Sequence, residues 1–272
     1  MGAPRRLSLQ HINMLGVSPP DLVRIAAAIG YAFIAIRLEQ TAVGERIFPM
    51  RAGSPMLRET KALLADTGVR MLDSEFYRLR SGMMFDDHRP SCEAAAELGA
   101  TELLFTGNVA DEAEAADLFG QACRLAAEFG LNANLEFMPM YEVNTLDRAL
   151  RIVRGAGCDN AGVLLDPLHL HRAGHTAADL ATVDRRFIRY LQLCDGSTPP
   201  GDREEMLRQA RSDRLMPGEG VIPIADYFAV LPRDVPISLE VPNTARLARL
   251  GQAAFARRAF ESATRFLDAL PD

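Results

Sequence analysis

The chain is poor in the residues that mark several large protein classes. It has 5 histidines and 4 cysteines in 272 residues. No two of the cysteines, Cys92, Cys123, Cys158 and Cys194, share a Cys-x-x-Cys spacing, which excludes a zinc ribbon or a dithiol redox motif. In a chain of this length they read as reduced, buried thiols of a cytoplasmic protein. Positive charge is short as well: the formal net charge is −6. Nucleic-acid binding needs a concentrated basic face, so no nucleic-acid partner is expected. No apolar run approaches the roughly 20 residues of a membrane span, and the N-terminal stretch lacks an apolar signal core. No membrane partner is expected either. No Gly-rich phosphate fingerprint follows the first strand-like run.

What is present is a regular alternation. Hydrophobic content is 48% and charged content 24%, ordinary for a globular chain. Apolar runs near positions 7, 33, 70, 102, 132, 161, 187 and 235 read as eight strands, with helical periodicity between them. Ser18-Pro19, Ser54-Pro55 and Asn144-Thr145 supply helix starts. Gly30, Gly68, Gly99, Gly130 and Gly157 stand where a helix closes, 38, 31, 31 and 27 residues apart. Each interval is the size of one βα unit. Eight units predict a parallel sheet clothed in helices. They favour a closed (β/α)8 TIM barrel over an open doubly wound sheet, as a single domain over 1–272. The last helix is expected to run from about Thr244 to Leu270.

Four strand ends carry the chemistry. Asn132-Ala133-Asn134-Leu135 ends in Glu136. Ala161-Gly162-Val163-Leu164-Leu165 ends in Asp166, with His169 three residues on. Phe187 to Leu191 leads to Gln192. Val235 to Leu239 ends in Glu240. An acid at the tip of an apolar strand is expensive to desolvate without a cation or hydrogen bonds. In a barrel these tips share one mouth, and three carboxylates gathered there call for a positive charge between them. The oxygen donors Glu136, Asp166, Gln192 and Glu240 suit a hard divalent cation, Mn²⁺ or Mg²⁺. Arg37, at the second strand end, is expected to face an anion at the mouth.

The tips Leu135-Glu136-Phe137, Leu165-Asp166-x-x-His169 and Leu239-Glu240-Val241-Pro242, with Arg214-x-x-Pro217-Gly218-Glu219-Gly220, resemble the xylose isomerase-like TIM barrel superfamily. That superfamily includes ketose 3-epimerases, hydroxypyruvate isomerases, inosose dehydratases, 3-dehydroshikimate dehydratases and zinc apurinic endonucleases. The resemblance implies metal ligands at Glu136, Asp166 and Glu240. The usual fourth ligand, a histidine, is replaced by Gln192. It implies proton transfer by Glu136 and Glu240, with His169 or Glu142 protonating a leaving hydroxyl in a dehydratase, and substrate contacts from His169, Glu142 and Arg214; Arg37 and Arg214 together would suit an acidic substrate. With so few histidines, the three-zinc endonuclease branch is disfavoured.

The expected function is therefore a metal-dependent isomerase or epimerase of a small sugar or polyol-derived ketone, working through an enediolate. A dehydratase of the 3-dehydroshikimate or inosose type is the alternative. A third reading is a sugar-binding barrel without catalysis. The partner is a small-molecule substrate. Specificity is expected in loops 40–53 and 78–89. The sequence leaves the oligomeric state open, a homo-oligomer included.

Overall fold

A computed structural model describes residues 5–41, 45–199 and 201–271. The N-terminal residues 1–4, and 42–44 of the expected specificity loop, lie outside the described residues. Eight parallel strands alternate with helices: β1 (Leu7–Leu9), β2 (Phe33–Arg37), β3 (Arg70–Leu79), β4 (Glu102–Gly107), β5 (Asn132–Glu136), β6 (Ala161–Leu164), β7 (Leu191–Leu193) and β8 (Ile237–Leu239). Their order in the sheet is β6-β5-β4-β3-β2-β1-β8-β7. A parallel bridge between Leu165 and Leu191, with the Gln192 N–H donating to the Leu165 carbonyl at 3.1 Å, joins β6 to β7. The ring is nearly closed: a TIM barrel, as the alternation predicts.

The helices form where the sequence signals them. In α1 (Pro19–Ile29) and α2 (Pro55–Thr67), Ser18 and Ser54 accept N–H groups of the first turn. Gly30 (φ 107) and Gly68 (φ 75) close them in the left-handed region. The others are α3 (Arg89–Glu97), α4 (Glu112–Glu128), α5 (Leu146–Gly155), α6 (Pro167–Arg172), α7 (Ala177–Leu180), α8 (Arg203–Ser212), α9 (Ile224–Val230), α10 (Thr244–Leu250) and α11 (Gln252–Asp268). Among the described residues no helix is long and apolar enough to cross a membrane.

Two details differ from expectation. The helix expected over 244–270 breaks at Gly251 (φ 76), giving α10 and α11. The seventh strand starts four residues late, because Asp184 caps a 3₁₀ turn over Arg185–Phe187 that delays extension. Gln192 therefore lies within β7 rather than beyond its end.

The main apolar core lies between sheet and helices. Inside the barrel a small cluster of Phe33, Leu72, Leu104, Leu164 and Tyr190 makes a separate plug. The buried polar residues of the strands include Ser8, Asp73, Thr106, Asn134, Gln192 and Ser238, with Gln10 just past β1. Burying this many polar groups costs stability unless they are paired.

Candidate metal centre and active site

Strand ends deliver the acids. Glu136 is the last residue of β5, Asp166 caps α6 just beyond β6, and Glu240 follows β8. All three are at most 5% exposed. One ligand atom from each of Glu136, Asp166 and His169 lies within 4.8 Å of the others. His169 Nε2 stands 3.6 Å from Asp166 Oδ2 and 3.9 Å from Glu136 Oε1. It reaches this position because α6 starts at Pro167 and its first turn folds His169 back over the strand end.

Arg214 occupies the other side of the cluster. Nη1 meets Asp166 Oδ2 at 2.5 Å, Nη2 meets Glu240 Oε1 at 2.7 Å, and Nε donates to the Ala210 carbonyl at 2.8 Å. Nη1 also contacts Cys194 Sγ at 3.3 Å. The cation expected among all four strand-end groups is thus supplied, between Asp166 and Glu240, by the protein's own guanidinium. Arg214, expected at the substrate, spends most of its donors on carboxylates and a carbonyl. The Gln192 amide nitrogen is hydrogen-bonded to Glu240 Oε2, and its oxygen has no partner.

Electrostatics divide the acids. Burial raises the pKa of Asp166, but Arg214, His169 and the Leu168 N–H outweigh it and hold the carboxyl at about 2. Burial pushes Glu240 up to about 7, with Asp166 and Glu75 adding to the rise and Arg214 opposing it. Burial, then Glu240 and Asp166, push Glu136 well above the usual carboxylate range. Burial pushes the His169 imidazole down to about 3, so it is neutral at neutral pH.

The residues fit one divalent cation on the Glu136 side. Glu136 Oε1, His169 Nε2 and Gln192 Oε1 are buried without hydrogen-bond partners. Donor atoms around one ion at about 2.1 Å are themselves about 3–4 Å apart, as His169 Nε2 is from Asp166 Oδ2 and Glu136 Oε1. Three carboxyl groups face one guanidinium, and the raised pKa values of Glu136 and Glu240 mark a site short of positive charge. A half-turn of the Gln192 amide would bring its oxygen beside Glu240 Oε2, a pair of acceptors that a cation would reconcile.

Above this cluster opens a cavity of about 360 Å³. Glu240 and Arg214 line it, as do Glu75 and Arg37. Ile12, Phe76, Met138, Met140, Tyr141 and Leu207 give it apolar walls. Arg37 does face anions, but they belong to the protein: Glu45 at 2.5 Å and Glu75 at 2.8 Å. Glu142, expected at the substrate, is exposed and does not line the cavity, because its neighbours Tyr141 and Val143 turn inward.

Sequence reasoning missed Arg211 and Tyr141, and placed Arg78 only as the first residue of a specificity loop. Arg78 Nη2 and Arg211 Nη2 donate to the same Tyr141 hydroxyl oxygen, at 3.0 and 3.1 Å. Arg78 also lies over the Tyr141 ring, 5.1 Å from its centroid. Tyr141 and Arg211 line the cavity. Among the described residues neither arginine has a carboxylate within 4.0 Å. Nothing marks this pair in a chain with so many surface arginines.

A parallel barrel with three buried acids and an imidazole at the carboxyl ends of its strands defines a class: barrel enzymes that act on small molecules at the mouth. The family model of the xylose isomerase-like TIM barrel matches residues 23–267, and the chain belongs to that family. It is 28% identical over 252 residues to a 3-dehydroshikimate dehydratase of Pseudomonas aeruginosa, covering 87% of this chain. The match spans only 38% of that relative's length. It is 33% identical over 110 residues to an inosose isomerase of Halalkalibacterium halodurans, covering 39% of this chain and 37% of the relative. The structure of the IolI protein with a bound zinc atom superposes with a TM-score of 0.82 at 19% identity, over 98% of this chain and 99% of that one. Like its relatives, the chain is an enzyme of this family.

Proposed function

We propose that the chain is a divalent-cation-dependent lyase that removes water from a carboxylated, hydroxylated cyclic ketone, with 3-dehydroshikimate the first substrate to test. One observation carries this choice over the isomerase expected from sequence. Arg78 and Arg211 converge on Tyr141 beside the cavity, and among the described residues no carboxylate lies within 4.0 Å to answer them. Such a corner suits an anionic substituent, which a neutral ketose lacks. Phe76, Met138 and Met140 on the walls suit a flat ring. The dehydratase relative, matched over most of this chain, supports the same choice.

Glu136, Asp166 and Gln192 would hold the cation, with His169 or Glu240 completing the set. When bound, the cation polarises the substrate carbonyl and acidifies the neighbouring C–H. Mn²⁺ or Mg²⁺ suits these oxygen donors better than a thiolate-seeking metal. Glu240 is the ligand-cluster carboxylate that lines the cavity, so it takes the α-proton. Facing the cavity, Glu240 is placed to hold that proton and return it to the β-hydroxyl as that group leaves. The balance is one C–H and one C–O bond broken, one C=C formed and one water released. His169 is neutral and buried, which suits a ligand or a fixed hydrogen-bond partner better than a proton donor. Apolar walls keep bulk water from the enolised substrate. All 4 cysteines are free thiols, and we place the enzyme in the cytoplasm.

A second reading, epimerisation or isomerisation, keeps one observation in its favour. Glu136 and Glu240 both have raised pKa values, as proton transfer to two faces of one carbon requires. The test is turnover of 3-dehydroshikimate with Mn²⁺ and with chelator. Water loss is expected only with the metal. Arg211→Leu is expected to raise KM about tenfold or more with kcat little changed, the loss of one charge-assisted hydrogen bond. A KM indifferent to Arg211 would remove the anion corner from the account.

A further inference from the structure

Asp195 lies just past β7 and is 1% exposed. Among the described residues no cation lies within 4.0 Å of it. Its charge is met by peptide groups instead. Oδ1 accepts the N–H of Gly196 at 2.8 Å and of Ile222 at 3.2 Å. Oδ2 accepts the N–H of Gly218 at 3.0 Å and of Gly220 at 2.8 Å. Its backbone N–H and carbonyl pair with the carbonyl and N–H of Leu215, at 3.0 and 2.9 Å. The end of β7 therefore grips segment 215–222 through one carboxylate and one peptide unit. The fit is close: a Cβ at Gly220 would come within 2.3 Å of both Asp195 Oδ1 and the Gly196 carbonyl.

Arg214 is the residue immediately before this segment. From the other side its backbone N–H donates to the Pro242 carbonyl at 3.0 Å, and its own carbonyl accepts Asn243 Nδ2 at 2.9 Å. A side chain as long as arginine is entropically costly to fix, and a buried guanidinium neutralises two carboxylates only if its base is held. The two strand ends on either side of the guanidinium supply that hold.

We propose that Asp195 is a positioning residue for the metal centre: by fastening segment 215–222 to the end of β7 it fixes the Arg214 guanidinium between Asp166 and Glu240. The inference rests on the metal-dependent reading of the site, but its first test does not. Asp195 touches neither substrate nor cation. It acts through Arg214 on the spacing and charge of the ligand carboxylates.

The test compares the full chain with Asp195→Asn, Arg214→Lys and the double variant. The metal-free readout is solvent exchange of the Arg214 Nε–H by ¹⁵N NMR, its signal identified by its loss in Arg214→Lys. Asp195→Asn is expected to speed that exchange about tenfold or more while core amides of β2 to β5 keep their protection. Unchanged Arg214 exchange overturns the proposal. The second readout is Mn²⁺ affinity by calorimetry. Each single variant is expected to weaken it about tenfold, the usual effect of losing a partner behind a metal ligand. If Asp195 works through Arg214, the double variant binds no more weakly than Arg214→Lys. Multiplying losses overturn the proposal. If the wild-type chain binds no Mn²⁺, the metal reading fails and the exchange measurement alone decides the role of Asp195. Should Asp195→Asn not fold, Gly220→Ala disturbs the same contact and keeps the carboxylate.

Discussion

Glu240 and Asp166 share one guanidinium but respond to it differently. Asp166 receives the shorter contact, a peptide N–H and a thiol, and stays ionised down to about 2. Glu240 shares its burial with two other acids and rises to about 7. The signs give a pH dependence for the metal-free protein. The raised Glu240 contributes stability that is full below its ordinary value of 4.5 and is lost as pH rises through about 7. Glu136 has the same sign. The depressed Asp166 contributes stability that is present above its ordinary value of 3.8 and is lost as pH falls through about 2. Urea unfolding with chelator is expected to show on the order of 2–3 kcal/mol less stability from Glu240 at pH 8 than at pH 4. Glu240→Gln is expected to flatten that share of the slope. An equal slope in the variant would contradict the assignment. At this scale the sequence was informative about acids that end apolar runs, silent about Arg211 and Tyr141, and without a role for Arg78 beyond its place at the start of a specificity loop. An acid at a strand tip breaks a pattern, whereas Arg211 sits among the charged residues of α8 and Arg78 lies half-buried near the end of β3 with nothing to single it out.

Among the elements, the helix-closing glycines were legible because a left-handed residue leaves a mark in the sequence. The late start of β7 was not, because Phe187 to Leu191 is as apolar as a strand while Asp184 turns its beginning into a 3₁₀ helix. The break at Gly251 went unread because the periodicity on both sides of it is helical. Inside the barrel, β6 lies close against its neighbours: a Cβ on Gly162 would stand 2.4 Å from Asn134 Oδ1 and 3.0 Å from the Phe187 carbonyl. Gly162→Ala is expected to cost about 1–3 kcal/mol, read as a lower urea midpoint with an unchanged slope. A neutral effect would mean that β5 and the chain before β7 yield more easily than their packing indicates.

For the whole molecule, eight βα units bring residues as distant as Arg37 and Glu240 to one mouth, which is why the fold was readable from periodicity alone. The mouth gathers three carboxyl groups around one guanidinium at the ligand cluster, with Arg211 and Tyr141 lining the same cavity and Arg78 bonded to Tyr141. It therefore answers a cation and an anion together. Mn²⁺ at about 100 times its dissociation constant is expected to stabilise the metal-free chain by about 2.7 kcal/mol, visible as a rise in Tm. Glu136→Gln is expected to abolish most of that rise. A full rise in the variant would place the ion elsewhere.

The most direct measurement follows 3-dehydroshikimate in D₂O with the Mn²⁺-loaded enzyme by NMR and mass spectrometry. The account predicts a product one water lighter, with the C–H beside the carbonyl lost in the same turnover. A ketone that gains solvent deuterium yet keeps all its oxygen, or no turnover with metal bound, would contradict it.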